Sequence, residues 1–314
     1  MQVCLIDVDS KIPNLALMKT STYHKQLGDT VKLGYDPNTD KPDICYVSKI
    51  FKFTPEPECL PEPPCKVLRG GPAYDLTVRL PFDSDRIMPD YDLYREKYPN
   101  FDYALGRFTR GCPNRCPWCV VWRMDGNEVR RVANLTDFWC GQKVVRLLDD
   151  NIMADEDLFV EICQELHDAG VKVIWEALDI RRINDRTAEA LASVKQEKSI
   201  HFAWDSKAQD KYIESGLETL RRHGLKGWRF MFYVLVGHST TREYDMHRIT
   251  TLRDLGTNPY VMPYDKSDPY QHYLQRWCNN KWVFKKVRNF EEYEPWVKYQ
   301  EKVRRDGTQM QLDI

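Results

Sequence analysis

Cys112, Cys116 and Cys119 fall within eight residues, interleaved with Pro113, Asn114 and Pro117 directly after Gly111. Neither a helix interior nor a central strand tolerates that run, so the chain must turn there and present its thiols from a loop. The spacing CxxxCxxC lets three thiolates converge on one metal centre, one fewer than a closed tetrahedral or cubane site takes. A coordination position is left open for a reactant. Zinc modules bring a second Cys or His pair at defined spacing, and none follows here. A structural zinc or inert cysteines are the competing readings.

The rest of the chain reads as alternating strand and helix. With 314 residues it suggests two domains, or one large barrel with an addition, and 42% hydrophobic content is enough for a core. Balanced charge, 46 basic against 47 acidic residues, sets up no bulk field toward nucleic acid or a membrane. No secretory leader pattern and no long apolar run is seen, so a cytoplasmic protein without membrane spans is expected. Its ten cysteines are then expected to stay reduced, which favours metal binding over disulfides.

Val3 to Val8 suits a buried parallel strand, Leu15 to Leu27 a helix ended by Gly28, and Thr30 to Leu33, Ile44 to Phe51 and Lys66 to Leu68 further strands. Short connections imply a parallel sheet with right-handed crossovers. Glu56 to Pro64 is proline-rich and expected as an extended loop, and Asp83 to Asn100 as a linker. Beyond it, strands are predicted at Tyr103–Thr109, Val144–Leu148, Val171–Glu176, Ile200–Trp204, Arg229–Val236 and Tyr260–Met262. Helices are predicted at Asp155–Ala169, Thr187–Val194, Asp210–His223 and Thr241–Leu255.

In its three cysteines, its lead-in from Phe108 to Cys112 and the aromatic Trp118 before the last cysteine, the chain resembles the radical S-adenosylmethionine (SAM) superfamily. The resemblance implies an α/β fold, a partial (β/α)6 barrel whose first strand runs into the cysteine loop. It implies a 4Fe-4S cluster on Cys112, Cys116 and Cys119 whose open iron chelates the amino and carboxylate groups of SAM, with Trp118 near the adenine. Chemistry in such barrels sits at the C-terminal ends of the strands, so the other strand ends are read as one rim. Asp149, Asp150 and Asn151 stand where the family commonly has Gly-Gly-Glu for the SAM ammonium, a helix cap being the alternative. Arg181 is a candidate clamp for the methionyl carboxylate, or a surface pair with Arg182. Asp205 and Ser206 are candidates for the ribose hydroxyls, an N-cap role for Asp205 being the alternative. Val236 and Gly237 are expected to bring main chain close to the adenine, with Met262, Pro263 and Tyr264 beside it or in the core. His238 reads as a structural hydrogen-bonder rather than a catalyst.

Residues 1–95 resemble a truncated form of the Rossmann-like cobalamin-binding module that precedes many such barrels. They lack the Asp-x-His-x-x-Gly that supplies the lower cobalt ligand, so cobalamin is not expected. Cys4, Cys45, Cys59 and Cys65 read as small hydrophobes or incidental thiols, a second cluster being the sharper alternative. The barrel is assigned to residues 96–265 and a C-terminal extension to 266–314. There Tyr270, Tyr273, Trp277, Trp282 and Phe284 mix with Lys285, Lys286 and Arg288. Such a mixture packs against a barrel or stacks a nucleic acid strand, and packing is the expectation.

The implied activity is reductive cleavage of SAM to a 5′-deoxyadenosyl radical that takes hydrogen from a substrate the sequence does not identify, fed by a flavodoxin or ferredoxin type donor. A cobalamin-dependent methyltransferase and a non-catalytic iron-sulfur redox or sensor protein are the alternatives.

Overall fold

The computed structural model describes residues 1–312. The chain divides into two compact units, Met1–Glu176 with Ser193–Lys198, and Ala177–Ala192 with the chain from Ser199.

The first unit opens with a parallel sheet of strands β1 (Gln2–Asp7), β2 (Thr30–Leu33), β3 (Ile44–Ser48) and β4 (Lys66–Gly70), in the order β2-β1-β3-β4. Helix α1 (Leu15–Gln26) starts where the Asn14 side chain accepts from Leu17 N, and the chain leaves it at Gly28, φ +81°. Strand alternation sends Val3 and Leu5 to one face, against Leu17 and Tyr46, and Cys4, Cys45 and Val47 to the other. That second face is covered by loop residues Tyr35, Leu60 and Tyr74 instead of a helix. Cys4 and Cys45 are buried there, Cys65 half-buried, while Cys59 is exposed.

The segment expected as a linker is part of the core. Tyr94 is fully buried between Met18 of α1 and Leu105, and its hydroxyl donates to Asp7 Oδ2 at 2.7 Å. The Tyr91 hydroxyl donates to the Phe138 carbonyl. Aromatic side chains spaced three or four residues apart can bury one face of an otherwise irregular run, which turn residues such as Pro89 and Pro99 conceal in the sequence.

Leu105 belongs to β5 (Ala104–Gly106), which is shorter than predicted. A Cβ on Gly106 would stand 2.1 Å from the Phe138 ring, and past it the chain turns into a small antiparallel pair, β6 (Thr109–Arg110) and β7 (Arg130–Arg131). Short helix α2 (Val121–Met124) lies between them. Strands β8 (Val144–Leu147), β9 (Lys172–Trp175) and β10 (Lys195–Gln196) complete a parallel sheet in the order β10-β9-β8-β5, with helix α3 (Glu156–Asp168) as the crossover.

The second unit carries helix α4 (Asp185–Ser193), strand β11 (Ile200–Ala203), helix α5 (Asp210–Arg222), strand β12 (Phe230–Val236), helix α6 (Arg242–Asp254) and strand β13 (Asn258–Pro263). Its strands form a parallel sheet in the order β11-β12-β13. Helices α7 (Pro269–Asn279), α8 (Lys281–Lys286) and α9 (Glu294–Leu312) follow. Asn279 closes the β13 edge, its amide accepting from Val261 N at 2.7 Å and donating to Val261 O at 3.0 Å. Tyr270, Trp277, Phe290 and Trp296 are buried together, so most of the C-terminal aromatics pack as expected. Among the described residues no helix is long and apolar enough to cross a membrane.

Candidate metal and cofactor site

The cysteine loop leaves the first unit's sheet at the C-terminal end of β5, through β6, and its turn is held by backbone. Cys112 N–H donates to Gly126 O at 3.1 Å and Cys119 N–H to Cys116 O at 3.0 Å. Gly111 sits at φ +95°, and a Cβ there would lie 2.1 Å from Glu128 O. Only glycine fits a position with both constraints. Arg115 adopts φ +34°, a left-handed conformation that costs a non-glycine residue energy and persists only where its surroundings fix it. Cys112, Cys116, Cys119 and Trp118 are all half-buried.

Three consecutive residues past β8 grip this loop. Asp149 Oδ1 accepts from Phe108 N, Thr109 N and Thr109 Oγ1 at 3.0, 2.6 and 2.6 Å. Asp150 Oδ2 accepts from Gly111 N at 2.8 Å. Asn151 Nδ2 donates to Cys112 Sγ at 3.5 Å. The residues read from sequence as a SAM ammonium site thus also position the cysteines. Behind them Arg110 pairs with Asp85 and Asp125, and Arg107 lies 3.9 Å from both Asp125 and Asp150. Asp85, Arg107, Arg110 and Asp125 were not legible as site residues, because no spacing pattern links them.

Burial lifts the Asp149 carboxyl to about 6, against the pull of its bonds from Thr109 and the charge of Arg107. Its folded pKa therefore lies above the unfolded value of about 3.9, and between about pH 4 and 6 the folded chain holds the extra proton. This group's contribution to stability falls as pH rises through that window. Asp149→Asn is expected to remove a pH-dependent difference of up to about 2–3 kcal/mol in the metal-free protein. Urea denaturation of parent and variant at pH 4.5 to 7 checks it, and equal slopes would refute it.

Three thiols on one loop, with no second Cys or His pair following in the sequence, are a donor set of the kind that holds an iron-sulfur cluster with one iron left open. Among the described residues no group of three or more His, Cys, Asp or Glu side chains is already disposed to hold one metal ion. Burial, with the charges of Cys112 and Asp150 behind it, pushes the Cys119 thiol up, so a metal would have to drive its deprotonation. A hydrogen bond to a ligating sulfur is one of the levers that set a cluster's potential. Asn151→Ala is accordingly expected to lower the potential of the reconstituted protein by about 40 mV, one hydrogen bond of ~1 kcal/mol in a one-electron couple. A redox titration followed by electron paramagnetic resonance reads it, and an unchanged midpoint rules the bond out.

The remaining predicted residues belong to the second unit. The Arg181 fork is bidentate on Asp179, Nε and Nη2 each at 2.7 Å. Asp205 Oδ1 accepts from Leu235 N at 2.8 Å, and burial raises its pKa. Ser206 N-caps a short turn with Gln209, where the sequence suggested Asp205 as the cap. Val236 is fully buried, and Gly237 is at φ +80° with its missing Cβ replaced by the Gln271 amide, 2.1 Å from where that Cβ would be. Asp205, Val236 and Gly237 follow the ends of β11 and β12 and are gathered by one polar knot. Buried Arg248 donates to Trp204 O, Leu235 O and Asp245, while Asp245 Oδ2 accepts from Gly237 N at 3.2 Å. Sequence reasoning gave neither Asp245 nor Arg248 a part in the site. The (i, i+3) pairing of opposite charges on a predicted helix was the available signal. His238 stacks edge-on against Tyr264 at 4.6 Å.

No family model matches the chain. A curated protein, the anaerobic magnesium-protoporphyrin IX monomethyl ester cyclase of Rubrivivax gelatinosus, is 28% identical over 189 residues. The match takes in 55% of this chain and 30% of that protein, so the chain spans under a third of its relative. The radical SAM methyltransferase TsrM of Kitasatospora setae, solved with cobalamin and a [4Fe-4S] cluster bound, superposes with a TM-score of 0.57. It covers 83% of this chain and 74% of its own at 11% identity. The chain has the radical SAM fold. The likeness is to a partial (β/α)6 barrel fold, and in this chain a small Rossmann-like parallel sheet comes first. The cobalamin is said of TsrM, and a likeness at 11% identity shows the fold alone.

Proposed function

We propose that the chain is a radical SAM enzyme whose 4Fe-4S cluster is held by Cys112, Cys116 and Cys119. The observation that carries this reading is the grip of Asp149, Asp150 and Asn151, from the end of the neighbouring strand, on the loop that bears all three thiols. When bound, such a cluster supplies one electron that splits the carbon-sulfur bond of SAM and releases a 5′-deoxyadenosyl radical. The chain's own part is positional. Asp149 holds the start of the loop, Asp150 its tight turn at Gly111, and Asn151 touches the first ligand sulfur. In the second unit the Arg248–Asp245 knot fixes the backbone of Leu235 and Gly237. That leaves Asp205, Ser206, Val236 and Gly237 as our candidates for the nucleoside of SAM, and Arg181 for its carboxylate. Trp118 is our candidate for the adenine, and a flavodoxin or ferredoxin type protein for the electron donor.

The test is anaerobic reconstitution with iron and sulfide, reduction with dithionite and chromatography for 5′-deoxyadenosine. Iron near four per chain with SAM-dependent release of that nucleoside supports the reading. A cluster that never cleaves SAM leaves the redox or sensor alternative, and zinc in place of iron sinks both readings.

TsrM gives a cobalamin-dependent methyltransferase some standing as a second reading. Ligands of doubly wound sheets bind where the strand order reverses, here between β1 and β3. The loops at that point are tied to each other: Asn14 Nδ2 bridges Ser10 and Ser48, and Asp9 accepts from Ile50 N and Phe51 N. Incubation with hydroxocobalamin followed by gel filtration decides it, a co-eluting corrin spectrum favouring the methyltransferase.

A further inference from the structure

At the N-terminal ends of β12 and β13, away from Val236 and Gly237, the second unit carries a cleft of about 410 Å³. That is within the range of small-molecule sites, about 300–1,000 Å³. Its walls are of two kinds. Trp228, Tyr260 and Phe284 supply flat aromatic surface, and Arg253, Lys281, Lys285 and Arg288 supply positive charge. Among the described residues no carboxylate lines it, and the Asp254 carboxylate, outside the lining, pairs with Arg253 Nε at 3.5 Å. In a chain with a net charge of −1, four cations around one cleft are sorted, not an average of the surface.

The two kinds of wall are also built differently. Arg253 is fixed, Nη1 donating to Arg288 O at 2.7 Å and the guanidinium lying 5.4 Å above the Phe284 ring. Lys281, Lys285 and Arg288 are exposed. Trp228 is 63% exposed, with the Arg229 guanidinium 4.9 Å from its ring centre, and Tyr264 and Trp282 are other strongly exposed aromatics of the unit. An exposed indole beside fixed and solvent-facing cations suits a ligand with a flat ring at one end and phosphate at the other.

We propose that this cleft binds a nucleotide unit, with the base against Trp228 and Tyr260 and phosphate oxygens met by Arg253, Lys285 and Arg288. Free nucleotide and a nucleotide within a single strand share that chemistry. The site is independent of the cysteine loop and of any radical reaction.

The test uses full-length protein, with the anisotropy of a fluorescein-labelled oligothymidylate as the probe and ATP and poly-glutamate as competitors. Binding is expected with log Kd rising against log salt at a slope of about 2 to 3, as three or four phosphate contacts imply for a single strand. Trp228→Ala is expected to weaken it about tenfold, the loss of one stacked base, and Lys285→Glu with Arg288→Glu by at least about as much. All three positions are exposed, so the variants should melt with the parent. A strand held more tightly than ATP points to single-stranded nucleic acid as the source, and equal affinity per nucleotide points to the free form. The proposal is overturned if neither probe binds, if Trp228→Ala binds as the parent does, or if poly-glutamate competes as well as the oligonucleotide per charge.

Discussion

Cys116→Ser is expected to abolish release of 5′-deoxyadenosine and to leave the protein folded. Losing a residue that merely supports a metal ligand costs about 10–100-fold in affinity or activity, so loss of a ligand itself should exceed about 100-fold. Folding should survive, because Cys116 is only half-buried on a loop whose shape is set by Gly111, Asp149 and Asp150. Iron and sulfide analysis after anaerobic reconstitution, together with far-ultraviolet circular dichroism, separates the two effects. The same result is expected for Cys112 and Cys119. Cys163, on the buried face of α3 with its thiol pushed well up by that burial, serves as the control, and Cys163→Ala should keep its iron. A Cys116→Ser protein that retains a full cluster and cleaves SAM would end the assignment.

Arg248→Ala is expected to lose about 3–5 kcal/mol of stability, enough to threaten folding. Arg248 is 0% and Asp245 2% exposed, and they face each other on one turn of α6. Removing the arginine strands a buried carboxylate and releases the carbonyls of Trp204 and Leu235. Replacing both charges, Arg248→Met with Asp245→Leu, should cost less than either single change, because no unpaired charge remains. Chemical denaturation of the metal-free protein completes the cycle. A loss under ~1 kcal/mol for Arg248→Ala would show that water reaches the site.

Local order was readable in the sequence because periodicity and capping act over a few residues. Asn14, Asp155 and Thr241 each cap the helix that begins after them, and the predicted helices α3 to α6 lie within a residue or two of the observed ends. The cysteine loop was equally plain, since its three thiols are neighbours along the chain. What stayed hidden depends on partners far apart in sequence. Asp149 looked like a ligand or a cap, and its actual bonds are to Phe108 and Thr109, some 40 residues earlier. Tyr94 looked like linker because Asp7, the group its hydroxyl needs, is 87 positions away. The C-terminal aromatics divided for a similar reason: Trp277 and Trp296 find each other's neighbours across turns, while Trp282 stays 68% exposed with Lys286 over its ring.

The burial of Tyr94 has a consequence for how such a chain can be cut. Met18 from helix α1, Tyr94 from the connection and Leu105 from β5 share one apolar cluster. Removal of the first 95 residues would leave Leu105 bare to water and take away the tyrosine that seals it. The leading segment therefore behaves as a keystone of the first unit and not as a detachable accessory. A shortened version should aggregate on expression.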